Sequence, residues 1–262
     1  MITMKEQSKR FATILDHLQH EEKPCVTGLR IPYDNLASVW GSFMPGECYS
    51  FFGSKDEIAL RLWRRNLLWQ LIKNGVPVHV LEGGKSFDAD TVELLCLQSK
   101  INKAQLYFHR DLNRADYDDL RVALKELALY PLTWETGDSV PANSNPVVCV
   151  KDMTLSEWQE SAEALWSQAR EQNVALLLFV QMPKDVPVLF ESLYHPNQIV
   201  RPEYLSSYLG IVMWEKNTKG VKEKEQLFLM LKNAKSFYKD YILFDRNMGT
   251  YEITPAEKEQ KE

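Results

Sequence analysis

Apolar and polar positions follow two different periods along this chain, and the switches between them mark out its elements. Tyr49–Phe52 and Val76–Leu81 are short runs apolar on both faces, the pattern of strands buried in a parallel sheet. Between them, Ile58, Leu60, Leu62, Trp63, Leu67, Leu68, Leu71 and Ile72 cover more than one face of a helix. That predicts a largely buried helix, stopped by Gly75 as its C′ residue. Val147–Val150 and Val174–Val180 repeat the strand pattern around a helix over Leu155–Glu171, a β–α–β unit that is right-handed by default. Asp90–Lys100 and Arg114–Leu129 read as helices, the second starting near Asn113. Gln105–Phe108 and Leu132–Trp134 read as short strands, and a helical turn is expected over Asn35–Trp40. Leu209–Trp214, Gln226–Leu231 and Tyr241–Phe244 add three strands, the last two antiparallel. Alternating β and α followed by a run of β predicts an α/β fold. Its central sheet is mostly parallel and flanked by helices, with antiparallel edge strands at the C-terminus.

The flanks follow other rules. Met4, Phe11, Leu15 and Leu18 recur at close to 3.5 residues with Lys5, Lys9, Arg10, Asp16 and Glu21 around them, so a narrow-striped helix is expected over residues 4–20. The expected division is residues 1–24 as helix and connector, 25–254 as the α/β domain and 255–262 as a charged tail. Residues 182–203 hold four prolines, and a connection of that length is expected to be functional or mobile.

Composition narrows the function classes. The net charge of −5 rules out a nucleic-acid surface over the whole molecule, so any such contact needs a local patch. The candidates are Lys216, Lys219, Lys232 and Lys235, with Lys222, Lys224 and Lys239. Glu215, Glu223, Glu225 and Asp240 interleave with them, so DNA binding is expected to be weak or absent and steeply salt-dependent. No apolar run reaches the roughly 18 residues of a membrane span, and the N-terminus has no secretory apolar core. Cys25, Cys48, Cys96 and Cys149 contain no C-x-x-C pair, which fits a reducing cytoplasm. His17 and His20 share a helix face without further ligands, so no metal is expected.

Chemistry concentrates on GECYSFFGSKDEIALRLWRR, Gly46 to Arg65. A strand, a short turn and a buried helix form the place where α/β proteins hold phosphate on free helix N–H groups. The usual cradle is G-x-x-x-x-G-K-[ST]. Here the turn holds Gly53, Ser54 and Lys55, and Asp56 and Glu57 stand at the helix start. Ser54 and Glu57 also fit an S-x-x-E capping box. The acids suit the helix dipole but oppose a triphosphate, by roughly 4 kcal/mol for unit charges about 4 Å apart at an effective dielectric near 20.

Several segments, in this order, resemble the RecA-type ATPase core, most of all the C-terminal domain of DnaB-type replicative helicases. They are TGLRIPYDNLASVWGSFMPGECYSFF, VPVHVLE, LSEWQESAEALWSQAREQNVALLLFVQMP, RPEYLSSYLGIVMW and LFLMLKNAKSFYKDYILFDRNMGTYE. The resemblance sets Asp56 and Glu57 at the family's Lys-[ST] positions and Lys55 one residue early. It sets Glu82 at the carboxylate that activates the attacking water and Gln181 at the sensor glutamine. Lys151 stands where the Walker-B Asp belongs, with Asp152 one residue late. Lys232 matches a family lysine, while Ala234 takes the arginine-finger position with Lys235 nearby. What this implies is a non-hydrolysing relative whose nucleotide site (Gly53, Ser54, Lys55, Glu82, Gln181) is degenerate, with no catalytic residue and no cofactor. Its setting would be DNA replication or recombination, and its partners a replicative helicase or further copies of itself. In such helicases a helix before the core packs on the neighbouring subunit, which makes Met4, Phe11, Leu15 and Leu18 the assembly candidates. The alternative is a divergent NTPase that uses Lys55, Glu82 and Asp152.

Overall fold

The computed structural model describes residues 28–54, 58–82, 87–108, 112–137, 139–140, 147–182, 208–217, 224–233, 239–247, 250 and 252–256. A two-stranded antiparallel ribbon, β1 (Leu29–Arg30) and β2 (Ser42–Phe43), brackets helix α1 (Asp34–Trp40). Then come β3 (Cys48–Ser54), α2 (Ile58–Lys73), β4 (Val78–Glu82), α3 (Phe87–Ser99), α4 (Lys103–Phe108), α5 (Arg114–Leu127) and β5 (Leu132–Thr136). The second half supplies β6 (Val148–Thr154), α6 (Leu155–Glu171), β7 (Ala175–Met182), β8 (Tyr208–Asn217), β9 (Lys224–Asn233), β10 (Lys239–Arg246) and β11 (Ile253–Pro255).

Among the described residues, nine strands form one sheet in the order β11-β10-β9-β8-β3-β7-β6-β4-β5. From β8 to β5 every neighbouring pair is parallel, and β9, β10 and β11 add an antiparallel edge. The expected α/β class and its C-terminal antiparallel edge are both present. The central strands are apolar on both faces because each face carries helices. Val78, Val80, Val148, Val150 and Phe51 face α2, where Trp63, Leu67 and Leu71 are buried. Cys48, Phe52, Cys149, Leu176 and Leu178 face α6, against Trp158, Leu165 and Trp166.

Local chemistry sets the helix ends. Asn113 accepts from the backbone N–H groups of Ala115 and Asp116, and the Asp116 carboxylate accepts in turn from the Asn113 N–H, which closes a capping box on α5. Thr154 and Glu157 do the same for α6, so β6 passes into its helix without a loop. At the end of α2, Gly75 has φ 74° and Val76 N–H donates to Leu71 O, the left-handed stop that glycine permits.

The short strand expected over Gln105–Phe108 is instead helix α4. Asn102 Oδ1 accepts from Ala104 N–H and starts a turn there, a side-chain effect that outweighs the β-like run. The pairs β1–β2 and β10–β11 are too short for any periodicity to reveal them.

Candidate functional site

In a parallel sheet, the crevice at the carboxyl ends of strands whose connections leave in opposite directions is where ligands bind. Here the chain leaves β3 through α2 toward β4 on one side and leaves β7 toward β8 on the other, so the crevice lies at the ends of β3 and β7. Gly53 pairs with Gln181, and Gln181 pairs with Thr154, so these three stand level across the carboxyl edge. Ser54 pairs with Met182 one step on. Gly53 is required by close approach: a Cβ there would lie 2.7 Å from the Leu60 Cβ and 3.3 Å from the Val212 carbonyl oxygen. The missing side chain lets α2 lie directly on β3. Three residues, Lys55, Asp56 and Glu57, connect β3 to α2; they lie outside the described residues, as does the capping box expected from Glu57.

Behind this crevice α2 carries a band of cations that the sequence reading passed over. Arg64 is nearly buried; its Nη1 and Nη2 each donate to Asp90 of α3 at 2.8 Å, and its Nε lies 2.8 Å from Oδ2 of Asp152 on β6. Asp152 shares its face of β6 with Val148 and Val150, which turns it toward α2, whereas Lys151 is buried on the opposite side. One turn further, Glu93 is only 2% exposed and receives Arg61, Lys103 at 2.5 Å and Arg65 at 3.5 Å. Burial raises the Glu93 carboxyl, but the hydrogen bonds from Arg61 and Lys103 and the Arg65 charge outweigh it and leave it below the ordinary carboxylate range. Burial lowers the Arg65 guanidinium from its usual value. The signal for this band was present in the sequence. Arg61, Arg64 and Arg65 sit inside a helix apolar on every side, and Asp90 and Glu93 repeat at three residues on the next helix.

No protein-family model matches the chain, and no curated protein matches it. Solved structures do. An ATPase domain of known structure superposes with a TM-score of 0.74 at 9% identity, over 95% of this chain and 98% of that one. A DnaB-like replicative helicase, described with its interactions with primase, gives 0.72 at 10% identity over 95% of this chain. The fold is that of a DnaB-type RecA-like core. The chain spans 66% of the length of that helicase. The flagellar accessory protein FlaH from Methanocaldococcus jannaschii is more distant, with a TM-score of 0.50 at 11% identity over 88% of this chain and 98% of that one.

The sequence resemblance matches β3 to the strand that precedes the family's phosphate loop and β6 to its Walker-B strand. Glu82 ends β4, one position beyond the Leu81–Lys151 pair and so beside Asp152 on the carboxyl edge. Gln181 is half-buried beside Gly53. The sheet therefore brings the backbone positions of Gly53, Ser54, Glu82, Asp152 and Gln181 to one edge.

Of Lys216, Lys219, Lys232 and Lys235, the two in described strands, Lys216 and Lys232, stand apart. Lys216 pairs with Glu225 toward the carboxyl edge, while Lys232 pairs with Leu209, seven positions back along β8. At about 3.3 Å per residue they stand about 23 Å apart. Lys219 and Lys235 lie outside the described residues, as do Met4, Phe11, Leu15 and Leu18. Lys232 pairs with Lys239 where β9 ends and β10 begins, at the end of the sheet opposite the crevice. Among the described residues no helix is long and apolar enough to cross a membrane, and no three His, Cys, Asp or Glu side chains converge as a metal-ligand set. Burial pushes the Cys48 and Cys149 thiols up to about 12, so neither is a ready nucleophile.

Proposed function

We propose that this RecA-like protein acts by binding rather than by hydrolysis, as a non-hydrolysing relative of DnaB-type helicase cores that serves as an accessory factor in DNA replication or recombination. The observation that carries the reading is the link from β3 to α2. The described part of β3 reaches Ser54 and that of α2 starts at Ile58, which leaves at most three residues, two of them acids, where a triphosphate cradle needs a longer loop closed by Gly-Lys. Without the loop N–H groups and the following lysine, the β- and γ-phosphates lose most of their binding energy. The partners are a replicative helicase or further copies of this chain, since the fold it shares is one whose members include a DnaB-like helicase.

A thermal melt with Mg·ATP and a steady-state hydrolysis assay test the reading. A nucleotide at 100 times its dissociation constant would stabilise the chain by about 2.7 kcal/mol. The expected result is no shift and no phosphate release. Turnover, or a shift that disappears in Lys55→Ala, would establish instead a divergent NTPase working through Lys55, Glu82 and Asp152.

A further inference from the structure

Arg64 stands on the second turn of α2, and each of its three guanidinium nitrogens faces a carboxylate from another element. Nη1 and Nη2 meet Asp90 in the first turn of α3, and Nε meets Asp152 near the carboxyl end of β6. The side chains are 7%, 17% and 26% exposed respectively, so all three charges are held largely away from water. Two carboxylates that converge in such a place require a cation or a proton. A magnesium ion can satisfy such a pair, because it is held by one or two carboxylates with water completing its shell. An arginine can satisfy it too. Its guanidinium stays charged; its two Nη groups take one carboxylate end-on, and the charge stands in ion-pair contact with the next on its Nε side. An arginine also belongs to the chain, so its presence depends on no ligand concentration.

We propose that Arg64 is the resident cation of this crevice, filling from within the fold the position between Asp90 and Asp152 that a divalent ion would otherwise take. It pins the helix that follows β3 to both α3 and β6. The arrangement at the carboxyl edge is then set without metal, and a divalent ion finds no vacancy between these two acids. This holds whether or not the crevice takes a nucleotide.

Thermal melts of the full chain, without nucleotide, test the idea in metal-free buffer and in millimolar MgCl2 or MnCl2. The parent protein is expected to melt at one temperature in all three. R64M is expected to melt roughly 6–20 °C lower, the range that follows from stranding buried charges in a domain of this size. It should recover several degrees in the divalent salts. R64M/D90N/D152N, with the stranded charges gone, should recover in metal-free buffer and ignore the metal. If R64M does not fold, R64K replaces it: with the charge kept and the fork lost, it should melt lower than the parent and gain a divalent response. The proposal is overturned by a parent protein stabilised by divalent ions as much as the variant. It is equally overturned by an R64M, or R64K, that melts with the parent, or by a loss that neither metal nor the triple variant relieves.

Discussion

Glu93 is nearly out of solvent with Arg61, Arg65 and Lys103 gathered on it, and that arrangement fixes how it responds to pH. Its carboxyl titrates lower in the folded chain than in the unfolded one. Its contribution is therefore fully present above the unfolded value, near 4.3, and is lost as the pH falls through the lower folded value. Glu93→Gln removes the charge and leaves the buried Arg65 and the half-buried Lys103 facing an amide. Stability at pH 7 should fall by about 3–5 kcal/mol, and urea unfolding at pH 7 and pH 3 should show the gap between parent and variant narrow in acid. A gap that is equal at both pH values would mean that the loss is one of packing. Asn66 shows the neutral counterpart of this chemistry. Fully buried on α2, it donates to Leu62 O and accepts from Ile253 N–H at 3.0 Å, so one side chain ties the last strand to the first long helix.

At the scale of elements, the contact of α2 with β3 decides the shape of the crevice. Gly53 has no side chain because Leu60 occupies that space. Gly53→Ala should push α2 away from the strand and destabilise the chain by about 1–3 kcal/mol, the usual effect of overpacking; an unchanged denaturation midpoint would show that α2 yields without strain. A helix clamped below by Gly53 and sideways by Arg64 follows its strand with at most three residues between them. Those constraints, more than any one residue, shape what the carboxyl edge can hold. On the other face, α6 is held to the sheet by Trp158, which donates to Ser50 Oγ and packs edge-on against Phe52, and by Trp166, which donates to Gly46 O.

At the scale of the whole molecule the matter is assembly. β5 and β11 end the sheet on its two sides, and the described core begins at Gly28, beyond the amphipathic stretch of residues 4–20. Burial of Phe11 and Leu15 against a second chain would contribute about 1.5–3 kcal/mol each. Phe11→Asp/Leu15→Asp is therefore expected to lower the mass measured by light scattering, or the capture of a helicase, while the melting temperature stays within about 2 °C. A monomeric parent whose double variant melts several degrees lower would place this stretch on its own core.

The sequence by itself determined the architecture. Strands apolar on both faces can only be interior strands, a helix apolar all round can only lie beneath other elements, and Asn113 marks the start of α5. Those signals are local, so Tyr49–Phe52, Leu155–Glu171 and Val174–Val180 could be read one stretch at a time. Short pairings could not: β1, β2 and β11 exist because a distant partner supplies hydrogen bonds, and Gln105–Phe108 turned helical on the strength of one asparagine. The carboxyl edge was legible as a set of positions through the family resemblance, which matched Glu82 and Gln181 at strand ends beside the Gly53 turn. Its electrostatics were not. Arg64, Asp90 and Asp152 are separated by 26 and then 62 residues of chain, and nothing along the sequence pairs them. Only the stacking of α2 and α3 over β6 brings them within 2.8 Å, and only burial makes those charges depend on one another.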